Sequence, residues 1–240
     1  MSTTQQSWPD QVAYPDQTHV APGPHDMTNM YRAHFAFRRD LAKFEAAVRQ
    51  TPVGEAECWA TLAERWQIFA EILHHHHTIE DVMIWPPLLR RTESTDDRAG
   101  TELLHAMEGE HDLVDPALAG CADGFAAMVD HPCEDHRNAL DVHVTTARQL
   151  LADHLRHEEV DAIPLIQRVM TAEEWAASEA YATKGIQPRK LLELVPWMVE
   201  GMAPELLARE AAAAPLLMRV VLKLSRRRWA RRERVAFRYA

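Results

Sequence analysis

Four stretches of this chain repeat apolar residues in steps of three and four, and histidine or glutamate interrupts every one of these stripes. The first runs Met27, Met30, His34, Phe37, Leu41, Phe44, Val48, and the second Leu62, Trp66, Phe69, Leu73, His76, Glu80, Met83, Pro87. The third is Leu104, Met107, His111, Val114, Leu118, Cys121, Phe125, Met128, and the fourth Leu140, Val144, Ala147, Leu151, His154, Glu158, Asp161, Leu165. Such steps line up side chains on one helix face, and nothing alternates with period two for long enough to compete as a strand. Turn and capping residues break the pattern at "TPVG" (51–54), "TESTDDRAG" (92–100) and "DHPCED" (130–135). Short connections make sequential helices antiparallel. The chain is therefore predicted to be all-α: an up-down-up-down four-helix bundle over residues 25–170, with a C-terminal helical extension over 171–240.

The interruptions conflict with an oily interior. Burying a neutral polar group without a partner costs roughly 2–7 kcal/mol, and an ionised carboxylate costs far more. A domain stable by about 5–15 kcal/mol cannot carry six such penalties. Something must satisfy His34, His76, Glu80, His111, His154 and Glu158.

The sequence also repeats itself. Met30 and Met107 each stand four before a lone histidine, and Leu41 and Leu118 seven after it. His76 leads to Glu80 and Pro86 at the offsets by which His154 leads to Glu158 and Pro164. Thus "HHTIEDVMIWPPL" and "HLRHEEVDAIPLI" are one element written twice, and each half donates one lone His and one His-x-x-x-Glu. An i, i+4 offset stacks imidazole and carboxylate one turn apart, within reach of one cation or two adjacent ones. Four nitrogen donors and two carboxylates form the set expected for a dinuclear site in a bundle. Donors without thiolate favour iron, then manganese, over structural zinc. The plainer alternative, a hydrogen-bonded network without metal, must be complete to be tolerated and gives no reason for the correspondence between halves.

Within "HHHH" (74–77), the turn of about 100° per residue points His76 inward, on the stripe of Leu73 and Met83, and His74 outward. His74 and His75 are expected at the surface. His77 with Asp81 is an alternative register one face over, and the quartet is expected to supply one ligand. Glu108 is expected to be an exposed acid, with an extra ligand as the sharper alternative. Tyr31 could hydrogen-bond to a bound oxygen species or be an ordinary core-edge tyrosine. Asp161 and His157 are candidates for orienting the ligands. Met27, Met30, Met83, Met107 and Met128 are expected to fill the core.

The 47% apolar content is ample for a core, and the net charge of −10 argues against a protein that mainly binds nucleic acid. Residues 1–24, with Pro9, Pro15, Pro22 and Pro24, are expected to form a poorly ordered lead-in. Cys58, Cys121 and Cys133 form no CxxC, and Met1 is not followed by a charged-then-apolar leader, so the expected location is the cytoplasm. Glu205, Arg209, Glu210 and Arg219 break the longest apolar runs, leaving no transmembrane segment. "TAEE" reads as a capping box opening a helix, "KGIQP" as a turn, and Pro196, Pro204 and Pro215 as divisions between short helices. The tail from Arg219 is basic. It could contact nucleic acid or an anionic membrane, although a helix end attracted to its own acidic bundle is the favoured reading.

The stretches "HFAFRRDL", "HHTIEDVMIWPPL", "MEGEHDLV" and "HLRHEEVDAIPL" resemble the hemerythrin-like family, the HHE cation-binding domains. The resemblance implies a centre of two non-haem iron ions. Glu80 and Glu158 would bridge them, with His34 and His76 on one iron and His111 and His154 on the other. The oxygen-carrying hemerythrins have five histidines, from a His-x-x-x-His on the third helix and a His-x4-Asp on the fourth. Here Met107 stands four before His111, and His154 leads to Glu158. The spacing of His136 and Asp141 has no counterpart in the first half and reads as a decoy. The pattern resembles the bacterial members with two histidines per iron. The expected function is binding or sensing of oxygen or a related small oxidant. The alternatives are a di-iron redox enzyme acting on peroxide or nitric oxide, and an iron sensor or store.

Overall fold

The computed structural model describes residues 8–240; residues 1–7 of the expected lead-in lie outside the described residues. Among the described residues ten α-helices follow one another: α1 Thr28–Gln50, α2 Ala56–Ile79, α3 Trp85–Ser94, α4 Arg98–Asp130, α5 Glu134–His157, α6 Ile163–Val169, α7 Ala172–Thr183, α8 Pro188–Val199, α9 Pro204–Ala213 and α10 Leu216–Ala236. Among the described residues there is no strand, and no helix is long and apolar enough to cross a membrane. The fold is the all-α bundle with a C-terminal helical extension that the periodicity predicts, and the helix breaks fall at the expected turns.

Two π-helical turns, Glu80–Ile84 and Glu158–Ala162, join α2 to α3 and α5 to α6. In each, the glutamate carbonyl accepts from the N–H five residues on, Trp85 and Ile163 respectively. Proline explains both. Pro86 and Pro164 lack an N–H, and each ring crowds the carbonyl four residues before it, so the ladder widens by one residue. The extra residue shifts the buried face. Ile84 is fully buried in place of Met83, and Ala162 in place of Asp161, which is exposed.

The chain divides into two compact units. The first takes residues up to 35, 75–112 and 152–184. It holds the beginnings of α1 and α4, the ends of α2 and α5 with their π turns, and α3, α6 and α7. The His34 ring meets His76 edge-on, and His111 meets His154 in the same way, so the start of one helix faces the end of the next. Met27, Met30, Ile84, Leu104, Met107 and Ile163 are buried there. Residues 8–24 carry no helix, yet they are packed down where a poorly ordered segment was expected. Val12, Tyr14 and Ala21 are buried, Tyr14 stacks on Phe35, and the Ala21 N–H donates to the Tyr31 hydroxyl. The predicted capping box is present, with Thr171 and Glu174 closing the start of α7.

The second unit takes residues 36–74, 113–151 and 185–240. Its core is aromatic: the Phe44 ring lies 5.0 Å from Trp66, 5.7 Å from Phe125 and 5.2 Å from Phe237. The extension is fastened to this core by charge. Arg39 donates to the carbonyls of Trp197 and Glu200, Trp197 Nε1 donates to Asp40 at 2.7 Å, and the buried Arg65 joins Asp40 to Glu233. Gly185 (φ 77°) takes the left-handed conformation after α7 that glycine adopts without steric cost. Pro204 and Pro215 open α9 and α10 as predicted. Pro196 lies inside α8 instead of dividing it.

Candidate metal centre

Every residue of the candidate centre belongs to the first unit. Helix α1 presents His34, the end of α2 presents His76 with Glu80 at the first π turn, α4 presents His111, and the end of α5 presents His154 with Glu158 at the second. The structure brings these six together and adds His77. Their ligand atoms form two groups, each within 4.8 Å: His77, Glu80, His111 and His154 in one, His34, His76, Glu80 and Glu158 in the other. Glu80 belongs to both. All seven residues are buried, with His34 and the two glutamates wholly so.

Hydrogen bonds on the outer side of the rings set which nitrogen faces inward. His34 Nδ1 lies 2.9 Å from Glu159, His111 Nδ1 2.8 Å from Asp81, and His154 Nδ1 2.9 Å from Glu110. An ionised carboxylate only accepts, so each Nδ1 carries the proton and donates it, which leaves Nε2 as the inward lone pair in the neutral ring. His34 Nε2 then stands 3.1 Å from Glu158, His111 Nε2 3.4 Å from Glu80, and His154 Nε2 4.0 Å from Glu158. These atoms are close but not aligned as hydrogen bonds. Among the described residues none of the three nitrogens, and neither oxygen of Glu80 or of Glu158, has a hydrogen-bond partner. Buried acceptors converging on one another are costly unless something positive lies between them.

The electrostatics point the same way. Burial opposes charge on His34, but Glu158 and Glu159 outweigh it and push the pKa up to about 9. Burial likewise opposes charge on His111, and Asp81 and Glu80 raise it to about 10. Burial tends to raise the Glu80 carboxyl, yet His76 and His111 hold it well below the usual range. His77 goes the other way: burial and the neighbouring His111 push it down to about 2, keeping the ring a neutral donor. The cluster calls for positive charge at its centre, and bound metal would supply it while engaging the orphaned lone pairs. Nitrogen and oxygen donors without sulfur suit iron or manganese.

The duplicated sequence makes a nearly duplicated site. His34 with Glu158 and Glu159 corresponds to His111 with Glu80 and Asp81. Two positions break the correspondence. Leu155 stands where the other copy has His77, and Ala33 stands where the other has Glu110.

Several expectations change here. The "HHHH" run turns both His76 and His77 inward, not one of them, because neighbours 100° apart straddle a site wide enough for two ligand groups. The imidazole count is five, not four. His74 is exposed as expected, but His75 Nε2 bonds to the Ala182 carbonyl at 3.0 Å and so tethers α7. Glu108 points away and pairs with His105. Burial lifts the Tyr31 phenol to about 12, and its oxygen accepts from Ala21. His157 touches Glu110 at 2.7 Å, while Asp161 is exposed and 3.8 Å from His157. His136 bonds to the His131 carbonyl and Asp141 to Arg49, so that pair forms no site. Sequence reasoning missed Glu159 and Glu110 as orienting partners. Asp81 and Glu159 each directly follow the glutamate of their copy, a repeat signal that could have found both.

Residues 25–166 match the family model described as Hemerythrin HHE cation binding domain. No curated protein and no solved structure matches the chain.

Proposed function

The chain belongs to the hemerythrin HHE cation-binding domain family, and from that premise we propose that its first unit holds two non-haem iron ions and uses them to bind or sense oxygen or a related small oxidant. The observation that carries this proposal is the set of buried, mutually facing Nε2 and carboxylate atoms that have no hydrogen-bond partner. His34 and His76 would hold one ion and His77, His111 and His154 the other. Glu80, common to both groups, would bridge them, and Glu158, a member of the first group whose carboxylate lies 4.0 Å from His154 Nε2 of the second, is proposed as a second bridge. Bound iron supplies electron exchange with a small oxidant. The protein's part is positional. Glu159, Asp81 and Glu110 lock three imidazoles with Nε2 inward, and this partnering raises the basicity of each ligand. Burial keeps bulk water out, which strengthens every charge interaction within. Three cysteines without a disulfide accord with a reducing compartment such as the cytoplasm.

The test is metal analysis together with optical spectra of the anaerobically reduced protein before and after exposure to oxygen. About two irons per chain and reversible oxygen-dependent bands are expected. Sustained consumption of peroxide or nitric oxide would move the assignment to a redox enzyme. Iron uptake with neither response would move it to an iron sensor or store.

A further inference from the structure

Helix α10 has two faces, and only one of them is used by the fold. Val221, Ser225, Trp229, Glu233 and Ala236 are buried, at steps of three and four. On the opposite side Leu216 is 73% exposed, Leu217 61%, Val220 46% and Leu224 71%. These four share one face over the first two turns, and the same side continues as arginine over the remainder. Two of the tail's cations are accounted for: Arg232 pairs with Glu193 and lies over Trp229, and Arg238 pairs with Glu55. Lys223, Arg226, Arg227, Arg228, Arg231 and Arg234 are exposed and form no ion pair among the described residues. The tail is thus not simply drawn back onto its own acidic surroundings, as the sequence had suggested.

We propose that α10 docks this protein on an anionic lipid surface, its exposed leucines entering the headgroup boundary and its free cations meeting the lipid phosphates. Charge and apolarity together select this partner. A helix with a leucine face flanked by lysine and arginine lies in the plane of a bilayer, where the long cationic side chains reach the headgroups while their stems stay in apolar surroundings. α10 is too charged to cross the bilayer, so it lies on the surface. Nucleic acid would use the cations but has no place for four exposed aliphatic side chains. A second copy packed in parallel through the same face would bring two cationic strips together. With a net charge of −10 on the chain as a whole, attraction to an anionic surface would act through this basic face, which would orient the molecule on the membrane.

The experiment uses the iron-loaded full chain and extruded vesicles, either phosphatidylcholine alone or phosphatidylcholine mixed with phosphatidylglycerol, followed by sedimentation. Binding is expected to the mixed vesicles only, weakening with added salt. Leu224→Ser together with Val220→Ser is expected to weaken it about tenfold or more, and each of Arg227→Gln and Arg231→Gln by about fivefold. Helicity and iron content should stay unchanged, because none of these side chains is buried. No binding to mixed vesicles at low salt would overturn the proposal. So would binding indifferent to the leucine-face change, which would mark a purely electrostatic site of the nucleic-acid kind. A solution dimer that Leu224→Glu dissociates would overturn it as well, by assigning the face to self-association.

Discussion

His77 separates two accounts of the centre. If it is a ligand, His77→Ala and His76→Ala should each remove bound iron, whereas His74→Ala, at an exposed position of the same run, should leave iron content intact. Inductively coupled plasma analysis of the purified variants decides this, and equal retention in all three would remove the quartet from the site. Glu159→Gln, Asp81→Asn and Glu110→Gln keep the shape of each partner but weaken its hold on Nδ1. Iron affinity is expected to fall about 10–100-fold in each, measured by competition with a chelator. At this scale the sequence was informative where chemistry repeats along the chain. His34, His76, Glu80, His111, His154 and Glu158 stood out because the interval between His and Glu occurs twice on an apolar face. Glu110 could not be found in that way, since it reaches His154 from another helix and its counterpart in the first half is Ala33.

Among the elements, the four long helices and their breaks were readable because apolar spacing and capping residues are local signals. The π turns were not. One inserted residue leaves the apolar pattern nearly intact on both sides and shows only as a shift of buried face from Met83 to Ile84. Deleting the exposed Val82 removes the extra residue, so the turn should close to ordinary α geometry while α3 keeps its orientation relative to α2. Ile84, Trp85 and Leu88 would then stay buried, where swinging them out would cost about 1.5–3 kcal/mol each. A thermal melt should therefore change little; a drop of many degrees would mean that the wide turn does not absorb one residue.

For the whole molecule, the least legible part was the extension, whose anchoring depends on charges far apart in sequence. Arg65 is wholly buried between Asp40 and Glu233, so Arg65→Ala takes one partner from each of two buried carboxylates, which keep Arg39 and Lys43, and should cost about 3 kcal/mol in denaturant unfolding. Burial alone would raise the Asp40 carboxyl, but Arg39 and Arg65 hold it down at about 2. A depressed acid stabilises the folded state above its unfolded pKa of about 3.9, and that contribution fades as pH falls toward 2. Asp40→Asn should therefore lose stability near neutrality and show a shallower decline between pH 4 and 2 than the parent (roughly the window set by those two values). The imperfect copying of the half-site has a consequence for loading. Three imidazoles belong to one candidate ligand group and two to the other, so in the proposed two-ion centre the two positions would not be equivalent. Ferrous iron added by fractional equivalents should enter in two distinguishable phases, populating a half-filled species before the full one, where identical pockets would fill at random.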